Sequence, residues 1–299
     1  MGMVTIFFLA ILKNFLYNFI WSDFMEYSPV KMKNLLNKYN FNLKKMYGQN
    51  FIIDENVIIN IINAANIDNN TLVIEIGPGA GSLTYKLCDY AKNVLCYEID
   101  LSLKPILNET LKDKNNVEII FNDFLKSNIK ETIKKYDYQK LYVVANLPYY
   151  VTTPIIVKMI EDEIDVDKMV VMVQKEVGDR FKAVPGCKDY GSLSVYLNYY
   201  FDVKKILDIS KNIFIPKPNV DSIVVEFKKK SDIKTVKDKK IFFKLIKDSF
   251  KQKRKTIRNN LKEYDLEKIN NILKKYGYDL SARAEQLSID IFIDIANNL

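Results

Sequence analysis

Residues 71–87 constrain the chain more than any other stretch. TLVIEI is apolar but for Glu75, it runs straight into Gly77-Pro78-Gly79-Ala80-Gly81, and the helical SLTYKL follows without a gap. A buried strand that ends in a glycine turn and leads at once into a helix opens a doubly wound α/β sheet. In such a sheet the glycines let backbone approach a ligand at the carboxyl end of the strand. The spacing is G-x-G-x-G, not the G-x-G-x-x-G that seats a dinucleotide pyrophosphate.

The strand signal recurs, and each time it ends in polar residues. Asn93 to Tyr97 leads into Glu98-Ile99-Asp100, where a carboxylate can accept both hydroxyls of a ribose. Val117 to Phe121 leads into Asn122-Asp123-Phe124, where Asp123 can accept a hydrogen bond from an adenine amine with Phe124 packed beside the ring. Leu141 to Ala145 leads into Asn146-Leu147-Pro148-Tyr149. All four strand ends converge on one crevice, whose position fits NAD or S-adenosylmethionine equally. The NLPY tetrapeptide has no packing reason to close a buried strand. Asn146 offers a carbonyl acceptor, Pro148 fixes the backbone, and Tyr149 offers a flat face on which a base can stack.

Further along, the pattern predicts a helix over Pro154 to Ile160, a fifth strand over Lys168 to Gln174, a polar helix after it and a loop over Ala183 to Gly191. VYLNYYF, Val195 to Phe201, with Val203 to Ile209 reads as a sixth strand, and Ile223 to Phe227 as the last. Between them Phe214-Ile215-Pro216-Lys217-Pro218 forms a rigid loop, in which Phe214 is either a buried anchor or an aromatic held out for a base. Ahead of the sheet, Pro29 starts a helix, Lys44 to Phe51 is a loop turning at Gly48, and Asp54 caps a helix whose core stripe is Val57, Ile58, Ile61, Ile62 and Ala65. Gln49-Asn50 is a capped turn or part of the site. A charged linker near 228–236 separates the sheet from a helical tail.

With 299 residues and 48% hydrophobic content, the chain suffices for one large domain and one small one. The expected division is a Rossmann-like domain over 25–230 and a small all-α domain over 231–299. The apolar stretch 1–24 is set apart as an appendage ahead of a start at Met25, a helix packed on its own protein, or a membrane contact. Lys13, Asn14 and Asn18 interrupt what would have to be about 18 clean apolar residues to span a bilayer, so no stable membrane contact is expected. Histidine is absent, which removes every Ser-His, Cys-His and His-metal mechanism. Cys88, Cys96 and Cys187 lack C-x-x-C spacing, so a reducing, cytoplasmic setting and no metal are expected.

Lys and Arg number 45 against 37 Asp and Glu, a formal charge of +8 that favours a polyanionic partner. Lys251, Lys255 and Arg258 fall at i, i+4 and i+7 of a predicted helix. That face is either merely solvated or, with Arg254 and the loop residues Lys44, Lys45 and Lys217, a phosphate-binding surface.

Together QNF (Gln49 to Phe51), EIGPGAG (Glu75 to Gly81), Glu98, Asp123-Phe124, NLPY, QKEV (Gln174 to Val177), YGSLSV (Tyr190 to Val195), FIPKPNVDS (Phe214 to Ser222) and KTIRNNL (Lys255 to Leu261) resemble the bacterial small-subunit ribosomal RNA adenine dimethyltransferases of KsgA type. The resemblance spans 28–299 and rests on the order of the motifs. Leu147 and Pro78 favour this branch over the related macrolide-resistance methyltransferases of 23S ribosomal RNA. It implies a class I S-adenosylmethionine-dependent methyltransferase sheet. The glycine turn of Gly77 and Gly79, with Asn50 and Ile52, would hold the methionine part of the cofactor. Glu98 would hold its ribose and Asp123 its adenine. Asn146 and the Leu147 carbonyl would accept from the target amine, with Tyr149 and Phe214 stacked on the flipped base. Ile52 departs from the leucine common there. The implied partner is 16S ribosomal RNA in an immature small subunit, met by a monomer that dimethylates two adjacent adenosines. Two other readings use the same fold: an assembly or transcription factor whose methylation is dispensable, and an NAD oxidoreductase. The glycine spacing and the missing histidine oppose the second.

Overall fold

The computed structural model describes residues 29–41, 44 and 48–299. The opening segment 1–24 and Lys45 lie outside the described residues. In chain order the elements are α1 (Pro29–Lys38), β1 (Phe51–Ile52), α2 (Glu55–Ala65), β2 (Thr71–Ile76), α3 (Ser82–Leu87), β3 (Asn93–Glu98), α4 (Lys104–Thr110), β4 (Val117–Phe121), α5 (Ile129–Ile133), β5 (Lys140–Asn146), α6 (Thr152–Glu161) and β6 (Lys168–Gln174). There follow α7 (Lys175–Phe181), α8 (Ser192–Tyr200), β7 (Phe201–Ile209), β8 (Phe214–Ile215), β9 (Ser222–Lys229), α9 (Lys239–Ser249), α10 (Ile257–Asn260), α11 (Leu266–Lys275) and α12 (Ile289–Asn298).

Seven strands form one sheet in the order β4-β3-β2-β5-β6-β9-β7. The first five are parallel, and β9 and β7 close the far edge antiparallel. From β2 the chain winds outward through β3 to β4, then returns to pair β5 on the other side of β2. The carboxyl ends of β2 and β5 therefore flank the topological switch point, where an open α/β sheet leaves a crevice. All six residues of β2 are buried, as are Leu141 to Ala145 of β5. Parallel strands covered on both faces read as unbroken apolar runs, which is why these were legible. One face packs Leu72, Ile74, Leu95 and Val143 against α6 through Ile155, Ile156 and Met159. The other packs Val73, Val94, Cys96 and Val144 against Ile58, Ile61 and Ile62 of α2, whose N-cap is Asp54 accepting from the Asn56 amide.

The helices after the sheet bury their own cluster, with Phe242, Leu245, Ile269, Leu273, Phe292 and Ile295 at its centre. Here two expectations fail. VYLNYYF is not a strand but most of α8, and the strand begins only at Phe201. The segment is apolar all round because it is buried all round: Leu197 faces the sheet core, while Val195 and Tyr199 face the C-terminal cluster. Nor do Lys251, Lys255 and Arg258 share a helix face. α9 ends at Ser249, and the Asn260 side-chain amide donates to the Ser249 and Gln252 carbonyls at 2.7 and 3.2 Å, closing a turn ahead of the short α10.

Gly178 shows how closely α7 lies on the sheet. A Cβ there would stand 2.6 Å from Cγ1 of the fully buried Ile223 in β9 and 3.2 Å from Val173 of β6. Overpacking of this kind costs roughly 1–3 kcal/mol, more than the ~1 kcal/mol of helix propensity that alanine returns. Gly178→Ala therefore lowers stability, seen as a reduced midpoint at unchanged slope in urea denaturation. Among the described residues no helix is long and apolar enough to cross a membrane.

Candidate active site

The crevice at the switch point is lined by the strap 48–52, the turn 75–80, Tyr97 to Ile99, Asn122 to Leu125 and the NLPY segment with Tyr150 and Val151. Asn50, Ile52, Gly77, Gly79, Glu98, Asp123, Asn146, Leu147, Pro148 and Tyr149 all meet there, from five separate parts of the sequence.

Asn146 ends β5. Its Nδ2 donates to the Asn50 carbonyl at 3.0 Å, which fixes the side-chain amide with Oδ1 turned the other way. That Oδ1 is buried with no hydrogen-bond partner. Buried acceptors without donors are rare, and this one lines the crevice. The strap that holds it is itself tied down. Gln49 Nε2 and Lys44 Nζ donate to the two oxygens of Asp100 at 2.8 and 2.6 Å, and Asn50 Nδ2 donates to the Gly48 carbonyl at 2.9 Å. Burial pushes the Asp100 carboxyl up, but the bonds from Lys44, Ser102 and Gln49 outweigh it and hold the group below its ordinary range.

Glu98 ends β3, and both of its oxygens accept backbone N–H groups: Asp100 at 2.8 Å and Gly79 at 3.2 Å. Burial pushes its carboxyl up to about 7 against the pull of those two bonds. Asp123 caps the turn after β4 through the Leu125 amide at 2.9 Å, with Phe124 buried against Tyr97 edge-on at 5.3 Å between centroids. Leu147 is buried, and its N–H donates to the Met172 carbonyl of β6 at 3.1 Å, which anchors NLPY to the sheet. The Tyr149 hydroxyl meets Ser222 Oγ at 2.7 Å, holding the ring by its far end, and burial raises the phenol.

Other expected residues lie elsewhere. Phe214 does not reach the crevice: it pairs with Ile52 in the β1–β8 ribbon, is 2% exposed and packs with Ile209 and Val224. The apolar gain of filling the gap beneath that ribbon exceeds anything an exposed ring would obtain. Lys44 is not part of an open cationic surface, because the buried Asp100 takes its ammonium as counter-charge. Lys217, Lys251, Arg254, Lys255 and Arg258 are exposed.

Sequence reasoning missed three features. Glu75, one residue short of the strand end, turns into the crevice although 1% exposed. Its being the one charge in an apolar strand was the available signal. Asp100 as the anchor of the strap, and Tyr150 at the rim with half of its surface exposed, left no periodic mark.

Among the described residues the lining contains three carboxyl groups, Glu75, Glu98 and Asp123, and no lysine or arginine. With acidic groups, a glycine turn and a buried acceptor that lacks a donor, the crevice fits a cationic nucleoside donor. The sheet order and this crevice define a class I S-adenosylmethionine-dependent methyltransferase. Residues 40–299 match the family model described as ribosomal RNA adenine dimethylase. A Staphylococcus aureus protein named ribosomal RNA small subunit methyltransferase A is 49% identical over 274 residues, covering 89% of this chain and 92% of that one. Among solved structures, a dimethyladenosine transferase from Plasmodium falciparum superposes with a TM-score of 0.69 at 24% identity, over 82% of this chain and 95% of its own. The 23S rRNA methyltransferase ErmE gives 0.64 at 23%, over 84% and 99%. These two bear on the fold alone. The chain belongs to the ribosomal RNA adenine dimethylase family.

Proposed function

We propose that the protein dimethylates the exocyclic N6 amines of two adjacent adenosines in small-subunit, 16S ribosomal RNA, acting as a cytoplasmic monomer on the immature small subunit. The observation that carries this reading is the buried Asn146 Oδ1, unpartnered among the described residues, beside a crevice whose described lining carries acidic groups and no basic ones. In that reading S-adenosyl-L-methionine supplies an electrophilic methyl group on a positively charged sulfur. Glu98 accepts from the ribose hydroxyls and Asp123 from the adenine amine, while Asn50, Ile52, Gly77 and Gly79 enclose the methionine end.

Asn146 Oδ1 and the Leu147 carbonyl accept the two hydrogens of the target amine, which turns its lone pair toward the methyl group. Tyr149 lies under the base. In-line transfer needs such positioning more than a proton acceptor, so a site without histidine lacks nothing. Substitution at nitrogen leaves one N–H for the second round. The roles divide between a methyltransferase domain over 25–230 and an RNA-binding helical domain over 231–299, with exposed Lys217, Lys251, Arg254, Lys255 and Arg258 on phosphates. The same 49% relative bears the small-subunit name, which supports the choice of substrate.

The test is transfer of labelled methyl from S-adenosylmethionine to undermethylated small subunits, to mature subunits and to large subunits. Label entering only the first, at up to four methyl groups per particle in line with two dimethylated adenosines, is the expected result. Label in large-subunit RNA instead would move the protein to the macrolide-resistance branch.

A further inference from the structure

The mechanism above leaves one buried carboxyl in the crevice unused. Glu75 lies in β2 with 1% of its surface exposed, yet it lines the cavity. Cys96 Sγ donates a weak hydrogen bond to its Oε2 at 3.8 Å. From β3 it also faces Glu98, which acts on it as a like charge. From α3 it faces the Thr84 hydroxyl, itself buried without a partner of good geometry, and beyond that Cys88. On its other side β5 presents the apolar Val144, and α2 presents Ile58 and Ile61. Among the described residues none of the groups acting on it is cationic. A carboxyl so placed is held neutral: burial pushes it up to about 8.

The guest is cationic before reaction and loses a charge by reacting. The donor carries a sulfonium, and the product is a neutral thioether with the same ribose, adenine and amino-acid groups. We propose that Glu75 is a specificity-determining residue that distinguishes donor from spent product by charge, ionising when S-adenosylmethionine enters the crevice and taking a proton back once S-adenosylhomocysteine occupies it. This rests on the reading of the crevice as the S-adenosylmethionine site.

The proton balance closes. Donor binding converts the Glu75 carboxylic acid to carboxylate and releases its proton to solvent. In the transfer the N–C bond forms, the S–C bond breaks with its electron pair left on sulfur, and the amine's proton leaves to solvent. With the sulfonium gone, the buried carboxylate has no counter-charge and regains a proton. The product then faces a neutral acid in place of the anion that favoured the donor. Glu98 also titrates in this range, but it meets the ribose common to both ligands, so its contribution is shared.

Isothermal titration of the full chain with S-adenosylmethionine and with S-adenosylhomocysteine, at about pH 6.5 in phosphate, MES and imidazole, counts protons released from the dependence on buffer ionisation enthalpy. The donor is expected to release more protons than the product, with a difference approaching ~1, and the ratio of the two dissociation constants is expected to rise up to about tenfold per pH unit below pH 8. In Glu75→Gln, whose fold is checked by its retained binding of S-adenosylhomocysteine, the difference vanishes and the ratio becomes independent of pH. Equal proton release by both ligands in the unaltered chain overturns the proposal without reference to any variant, as does an unchanged difference in Glu75→Gln. Failure of the unaltered chain to bind either ligand would instead overturn the cofactor assignment.

Discussion

Asn146→Ala is expected to lower the single-turnover rate of methyl transfer by about 10²–10³, the usual cost of losing one preorganised polar group aimed at the reacting centre. Its affinity for S-adenosylmethionine should change by less than about tenfold, because Glu98, Asp123 and the glycine turn remain. The geometry gives the reason for the split. Asn146 Nδ2 is held by the Asn50 carbonyl at 3.0 Å, so the amide cannot rotate and Oδ1 is presented without first being ordered. Alanine removes the acceptor and also strips the Asn50 carbonyl of its donor. Asn146→Asp restores an acceptor but has no N–H for that carbonyl, and the two oxygens repel, so it should not rescue the rate. Rapid-quench transfer with labelled donor at saturation, alongside titration calorimetry, separates the two effects. Full activity in Asn146→Ala would remove the residue from the site.

Much of this arrangement was legible because parallel strands state themselves plainly. Leu72 to Ile76, Val94 to Tyr97 and Leu141 to Ala145 are mostly apolar runs that lead into Gly77, Glu98 and Asn146, and these stops mark the crevice. Segments with two kinds of neighbour were not legible. VYLNYYF carries aromatics on every side, and a short apolar run does not say whether a sheet and a helical cluster will enclose it as a helix. Phe214 shows the same limit at one residue: an aromatic between prolines can be held out or held in, and only the partner strand at Ile52 decides. The cations after Ser249 had helical spacing, yet spacing cannot foresee that the Asn260 amide closes a turn among them.

The strap is the clearest instance of function depending on contacts remote in sequence. Asn50 and Asn146 are 96 residues apart, and the bond between them exists because Gln49 and Lys44 are tied to Asp100, which follows β3. A buried Asp100 with three side-chain donors is a rigid anchor, since leaving it unpaired would cost several kcal/mol. The order of the strap thus passes to the Asn146 amide that lines the crevice.

The strap also meets the glycine turn, and that contact sets the second large effect. Gly79 has φ +60, and a Cβ on it would stand 2.9 Å from Cε1 and 3.0 Å from Cδ1 of Phe51. Phe51 cannot swing aside. It is 6% exposed, edge-on to Phe41 at 6.1 Å, and adjoins Asn50 in the strap. Gly79→Ala therefore carries a backbone penalty of roughly 1 kcal/mol and a packing penalty of roughly 1–3 kcal/mol, and it displaces both the strap and the Gly79 N–H that holds Glu98 at 3.2 Å. The expected outcome is a melting temperature lower by about 5–10 °C and an affinity for S-adenosylmethionine weaker by about 10–100-fold. Gly186→Ala is the control: its φ is +87, but nothing lies within 4 Å of the added carbon. It should show the backbone penalty alone, with affinity unchanged. If Gly79→Ala matches Gly186→Ala in both calorimetric melting and donor affinity, the Phe51 contact does not govern the site. If Gly79→Ala loses affinity well beyond its loss of stability, the turn and the strap act together on the bound donor.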